Sequence, residues 1–241
     1  ALGVSLDELG IGVVNVGSVS FEYIASIFAP ERLQRRCAIV TDMDTYLEGA
    51  KYSNEDAAKR GETRKTKLER LFNNNDYVKM FYANYTFEVD FAEEEGNRNY
   101  YKKAIEENYE KEDVIEQHKK ELDENIIKRY STVLSMAKYV GKGWFAMQIA
   151  DYIDYNIVIP DYLLKAVAFA GGETITKAIV WKILKYVISC QSEDKYKEVK
   201  KKVQGANSID EQENIVKEFC TEFSSSMFAK LLICMEENGD R

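Results

Sequence analysis

The chain is 241 residues long, 45% hydrophobic and 31% charged, with 33 Lys/Arg against 41 Asp/Glu for a formal net charge of −8. That composition supports a sizeable core, as one large domain or a domain with an appendage, and places the chain among globular proteins. No run approaches ~18 uncharged apolar residues, and the opening Ala1-Leu-Gly-Val has neither a basic n-region nor an apolar h-region, so no membrane span or secretory signal is read and the expected compartment is the cytoplasm.

Residues 11–16, Ile-Gly-Val-Val-Asn-Val, are apolar and end at Gly17-Ser18, which predicts a short strand. Residues 20–28 read as an amphipathic helix stopped by Pro30, and the apolar, β-branched run from Cys37 to Thr41 predicts the next strand. Strand, helix, strand in that order predicts a parallel sheet with right-handed crossovers. The second strand runs into Asp42-Met-Asp44. Open α/β sheets hold ligands at the carboxyl ends of their strands, and two acids two apart suggest magnesium or manganese, which take hard oxygen donors. The plainer alternative is a pair of solvated acids capping a turn.

A polar connection of over thirty residues comes next, with Gly61 and basic helix-like turns, and leads to a third strand at 78–83. Connections this long tend to be functional or mobile. From about residue 98 the chain reads as helical. Tyr101, Ile105, Tyr109, Val114, Leu122, Ile126, Tyr130 and Val133 recur at three- and four-residue spacing amid dense charge, predicting a long exposed helix pair over 100–139. Residues 88–124 hold fourteen acids against six Lys/Arg, so the net charge of the whole chain resides there. Basic residues cluster at 59–70 and 195–202, where a nucleic-acid contact competes with a solvated helix face; the second cluster reads as the latter.

Gly141-Lys-Gly143 precedes an amphipathic stretch at 144–155. The glycines make either a loop that presents Lys142 and the first helical N–H groups to an anion, or a simple helix break. Residues 156–160 read as extended, and 161–170, 174–190, 194–203 and 209–236 as helices, the last made apolar by Phe219, Phe223, Met227, Phe228, Leu231 and Leu232. Cys37, Cys190, Cys220 and Cys234 are widely spaced and read as reduced structural thiols. His118, the only histidine, lies in a charged run and reads as a solvated helix residue, which argues against histidine-triad hydrolases and multi-histidine metal centres.

Four motifs then stand in order: Thr-Asp-x-Asp at 41–44; Asn84-Tyr-Thr-Phe-Glu-Val-Asp90 succeeded by Phe91-Ala-Glu and Gly96-Asn97; Gly-Lys-Gly-Trp-Phe-Ala at 141–146; and Ile-Pro-Asp-Tyr-Leu at 159–163. Together, over roughly residues 8 to 170, they resemble the Toprim half of OLD-family (overcoming lysogenization defect) nucleases, the group that includes the nuclease of Gabija anti-phage systems. The resemblance implies an α/β fold, a Toprim Rossmann-like, mainly parallel sheet with a helical insertion and a C-terminal helical region. Its divisions would be 1–97 as the Toprim-like core, 98–139 as an acidic insertion, 140–170 as the lysine loop and helix completing the site, and 171–241 as the helical tail. It further implies a Mg2+- or Mn2+-dependent DNA endonuclease, homo-oligomeric, acting in anti-phage defence or DNA processing and regulated by an ATPase portion of the same protein.

By matching positions, Asp42 and Asp44 would be metal ligands, Glu88 and Asp90 a second acidic pair with metal and catalytic roles, and Lys142 the catalytic lysine near the scissile phosphate. Phosphodiester cleavage needs an activated water and relief of charge on the phosphoryl and leaving oxygens, which carboxylate-held divalent ions and a lysine supply. Toprim domains begin with a strand ending in a glutamate, usually within Glu-Gly-x-x-Glu. Residues 1–6 resemble the segment after the first Toprim helix, so that strand, its glutamate and the ATPase are expected upstream of Ala1, and the chain alone is expected to be incomplete as an enzyme. No Gly-x-x-x-x-Gly-Lys-[Ser/Thr] is present, so ATP would enter only through that upstream portion.

Two other readings remain. The chain could be a non-catalytic Toprim-like module that dimerises or meets a partner through the acidic helices and apolar tail. A phosphatase with Asp42 as nucleophile fits less well, because Tyr46 stands where that signature wants Thr or Val. Glu88 and Asp90 could also be a solvated helix start with Thr86 as N-cap. Tyr85, Phe87 and Phe91 are expected to pack the strand-to-helix junction.

Overall fold

Two strands, β1 (Cys37–Asp42) and β2 (Val78–Ala83), pair in parallel, with Cys37 opposite Val78 and Asp42 opposite Ala83. The computed structural model describes residues 2–190 and 194–222. Its helices are α1 (Glu22–Ala25), α2 (Glu55–Phe72), α3 (Phe87–Glu93), α4 (Arg98–Asn108), α5 (Glu112–Asp123), α6 (Ile126–Val140), α7 (Lys142–Tyr152), α8 (Asp161–Gly171), α9 (Lys177–Cys190), α10 (Asp194–Gly205) and α11 (Ile209–Glu222). The chain is thus mixed α/β and mainly helical. Phe223, Met227, Phe228, Leu231, Leu232 and Cys234, and the end of the helix expected over 209–236, lie outside the described residues.

A parallel pair requires a crossover, and α2 supplies it. Its start is set by Asn54, whose side chain accepts the Ala57 N–H at 3.0 Å, with Glu55 and Asp56 facing the positive end of the helix dipole. Strand side chains alternate between faces. Ile39, Val78 and Met80 pack with Leu68 and Phe72 of α2 and with Ala25 of α1. Toward α8 the sheet presents Phe81, whose ring lies 6.0 Å from that of Phe169; Arg36 and Lys79 sit over the same ring at 5.5 and 5.1 Å.

Residues 11–16 are not a strand. Among the described residues β1 and β2 pair only with each other, and an extended segment without a partner edge gains no ladder hydrogen bonds. Val13 and Val14 are 77% and 69% exposed, while Leu9 and Ile11 pack against Trp181, Leu184, Val187 and their neighbours on the C-terminal helices. The tail that carried no motif therefore shares its core with the start of the chain.

The long exposed helix pair expected over 100–139 is instead three helices with buried apolar faces. The chain breaks at Tyr109 and Lys111, both extended, and again at Glu124. Tyr101, Ile105, Leu122, Val133 and Met136 are essentially inaccessible and form one core with Val89 and Phe91 of α3 and Phe145 of α7. Dense charge concealed the stripe: its acids and lysines pair on the outer faces, as Lys102 does with Asp123 at 2.6 Å and Lys119 with Glu106 at 2.8 Å. His118 is half-buried on α5 rather than fully solvated. Its ring lies 4.8 Å from that of Tyr109, and its Nδ1 is 3.3 Å from Glu121 Oε2.

Gly96-Asn97 has a structural role. Asn97 is fully buried; its Nδ2 donates to the carbonyls of Phe91 at 3.0 Å and Val158 at 2.7 Å, and its Oδ1 accepts from Val158 N–H at 2.9 Å. The extended segment at 156–160 is thus held by a side chain rather than by a strand, which aims α8 back at the sheet. Among the described residues no helix is long and apolar enough to cross a membrane.

Candidate functional site

The site forms where β1 and β2 end. Beyond the strands the ladder continues through loop backbone: Met43 N–H donates to Ala83 O at 2.9 Å, Asp44 N–H to Tyr85 O at 2.9 Å and Thr45 N–H to Asn84 O at 3.1 Å. Asp44 adopts φ 53°, a left-handed conformation that Asp tolerates better than most residues. The Asp-Met-Asp turn is therefore stitched to the segment that launches α3.

Asp42 performs the capping expected of Thr86. Thr86 occupies the N-cap position of α3 but makes no cap bond; the Phe87 N–H, the first of the helix, is accepted by Asp42 Oδ1 at 3.1 Å. Burial, then the charges of Glu88 and Asp44, push the Asp42 carboxyl up to about 6, against the opposing pull of Lys142 and the Phe87 N–H. Three carboxylates from β1, the turn after it and α3 thus lie within electrostatic reach of one another.

Two cations face them. Lys142, expected in a glycine-flanked loop, is the first residue of α7, because Gly141 takes the backbone turn at φ 94° and the helix starts directly after it. Its Nζ lies 3.5 Å from Glu88 Oε1. Arg64, on α2, donates to the Asp42 carbonyl and stands 3.8 Å from Asp44 Oδ2. It belongs to the basic cluster at 59–70, which the structure divides. Lys59 and Lys67 pair outward, with Glu55 at 3.8 Å and Glu22 at 2.6 Å, while Arg64 turns inward.

Arg64 can reach the turn because Gly61, one helical turn earlier, lets α2 come close. A Cβ at Gly61 would lie 2.0 Å from the Met43 carbonyl oxygen. Here the glycine serves the contact of one backbone with another.

Asp90 stands in the first turn of α3, but its carboxylate folds back to accept the N–H groups of Asn84 and Tyr85, the latter at 3.1 Å. Burial raises its carboxyl above the usual range. The structure therefore brings Asp42, Asp44, Glu88 and Lys142 together, and has Asp90 hold the Asn84–Tyr85 loop that leads into α3. Glu88 is itself fixed from behind, its carbonyl accepting the Tyr101 hydroxyl at 2.6 Å. Tyr162, from the Ile-Pro-Asp-Tyr-Leu motif, lines the same region: burial and the charges of Asp90, Asp42 and Glu88 hold its phenol above the ordinary range. Of the junction aromatics, Phe91 is buried and Tyr85 packs edge-on to Tyr130 at 5.6 Å, whereas Phe87 is 42% exposed.

The oxygen donors of Asp42, Asp44 and Glu88 suit a hard divalent cation, which would relieve the repulsion felt at Asp42. Among the described residues no three acidic, His or Cys side chains are grouped closely enough to hold an ion as they stand, so binding would draw these carboxylates inward. Arg64 and Tyr162 are the residues that reading the sequence missed; the only signals were a basic cluster and a tyrosine inside a motif. The chain matches no family model, and no curated protein or solved structure is significantly similar to it.

Proposed function

We propose that the chain carries the metal site of a Toprim-like, OLD-related nuclease that hydrolyses phosphodiester bonds in DNA with Mg2+ or Mn2+. The observation that supports this reading is the convergence of Asp42, Asp44 and Glu88, with Asp42 raised to about 6 by burial and by the other two. Carboxylates held together against their repulsion at the carboxyl end of a parallel pair are suited to a cation. A divalent ion bound there would acidify water and neutralise charge on phosphate oxygens. In this reading Asp42, Asp44 and Glu88 hold the ion. Lys142, at the mouth beside Glu88, meets the charge that develops on the phosphate. Asp90 and Arg64 position the two acid-bearing turns. The parallel β1–α2–β2 unit would be part of a Toprim sheet whose first strand and glutamate come from upstream, with an ATPase portion on the same polypeptide and self-association completing the enzyme.

The test has two readouts. Mn2+ or Mg2+ should raise the melting temperature of the chain, and Asp42→Asn should abolish that rise. A longer chain that supplies the proposed first strand and glutamate should cleave plasmid DNA only with the metal, and lose cleavage in Asp42→Asn and Glu88→Gln. Metal-dependent stabilisation without cleavage would leave a binding module. Cleavage at the wild-type rate in both variants would remove the site.

A further inference from the structure

Beside the acids lies a cavity of about 150 Å³, walled by Asp44, Tyr52, Thr86, Tyr130, Lys138 and Lys142 among others. Three features of its wall go beyond the carboxylate oxygens that the metal reading uses. Thr86 is only 5% exposed, and its hydroxyl is buried with no hydrogen-bond partner; a buried polar atom in that condition is costly unless a ligand or water completes it. Lys138, on α6, stands over the Tyr52 ring at 3.7 Å, placing a second ammonium on the wall with Lys142. Asp44 and Tyr52 are the two non-glycine residues with positive φ among the described residues, at 53° and 72°, and backbone strain of this kind concentrates where ligands are gripped.

The chemistry of the wall narrows the occupant. Asp44 is already met by Arg64 at 3.8 Å and Lys142 by Glu88 at 3.5 Å, which leaves the Lys138 ammonium and the Thr86 hydroxyl without a carboxylate on the wall, so the wall favours an anion. A 150 Å³ space accommodates a group the size of benzene, room enough for a phosphoryl group. Lysine is a point charge suited to phosphate oxygens, and a threonine hydroxyl can donate to a third. We propose that this cavity is a phosphoryl subsite, in which Lys138, Lys142 and the Thr86 hydroxyl hold a phosphate group of the strand next to the carboxylates. The strand identity rests on the reading of the acids as a phosphodiester site; the phosphoryl chemistry does not.

Inorganic phosphate titrated into the full chain and monitored by 31P line broadening tests the subsite without any activity. Saturable binding is expected, weakened about tenfold by Lys138→Gln, reduced by Thr86→Val and restored by Lys138→Arg. Lys138 is exposed, so its variants probe the cavity and not the fold. No saturable binding, or binding indifferent to Lys138→Gln, would overturn the proposal. Oligonucleotides with a 5′-phosphate or a 5′-hydroxyl then separate the sources. A preference for the phosphate that vanishes in Lys138→Gln assigns the subsite to a strand end, and equal affinities that both fall in Lys138→Gln assign it to an internal diester. Lys138-dependent phosphate binding with both oligonucleotides ignored would keep the subsite and remove the nucleic-acid reading of the acids.

Discussion

The core built by α3 to α7 and the turn in front of it obey opposite rules. In the core, Tyr101, Ile105, Leu122 and Val133 are almost wholly enclosed by other apolar groups, and Arg129, the buried cation at its rim, is fully engaged by the carbonyls of Leu122 and Glu124 and by Glu93 at 2.6 Å. In the turn, Asp42 is held near like charges, Asp44 is in a left-handed conformation, and the Thr86 hydroxyl and Arg64 Nε are buried without partners. The lesson is that α4–α6 are not an appendage: the relaxed region holds the strained one in place. Tyr101 makes the link directly, with its ring in the core and its hydroxyl on the Glu88 carbonyl.

If that contrast holds, removing the opposed charge in the turn should stabilise the protein, whereas truncating a core side chain should destabilise it. The largest effect is expected in the core. Leu122→Ala should cost ~3 kcal/mol through lost burial and the cavity left behind, measured by urea unfolding; a loss under ~1 kcal/mol would mean this core collapses easily and does not brace the turn. Next, Asp42→Asn should stabilise the metal-free protein at pH 7.5 by on the order of 2–3 kcal/mol, because it keeps an acceptor for Phe87 N–H and removes a charge that burial, and then Glu88 and Asp44, disfavour. Proton linkage sets the sign. The Asp42 carboxyl is raised from 3.8 to about 6 on folding, so between those values the folded state binds more protons than the unfolded one. Stability from this group is full below about pH 4 and is lost as pH rises through about 6. The wild-type melting temperature should therefore fall more than that of Asp42→Asn between pH 4 and 7.5, and parallel profiles would show that folding does not raise the Asp42 carboxyl.

The smallest effect sharpens the division within the site. Asp90→Ala should cost about 1–2 kcal/mol by stranding the Asn84 and Tyr85 N–H groups, and should speed amide exchange at those two positions. An unchanged exchange rate with lost metal stabilisation would return Asp90 to the ligand set.

Local signals were legible in the sequence and distant ones were not. β1, β2 and the helices expected at 161–170, 174–190 and 194–203 came from local periodicity, and the structure has them within a few residues; the helix expected from 209 is present as far as the described residues reach. The strand expected at 11–16 failed because apolar runs do not announce whether a partner edge exists. The helices over 98–140 were visible, but their burial was hidden by charges that pair on the outside. Asp42 and Asp44 could be picked out by residue type and order, Glu88 and Lys142 through the motif resemblance, and the structure brings the four together. The acceptor role of Asp90, the inward turn of Arg64 and the capping of α3 by Asp42 depend on distances between segments far apart in the chain, which no local pattern encodes.

Gly61 has a mechanical consequence. Side chains that touch can relax by changing rotamer, but at Gly61 the α2 backbone abuts the Met43 carbonyl directly, and peptide groups are stiff. Helix and turn are geared without backlash, so α2 cannot slide toward the strand ends without driving the two aspartates ahead of it. The outward-facing lysines of that helix and the inward-facing acids are therefore opposite ends of one rigid lever.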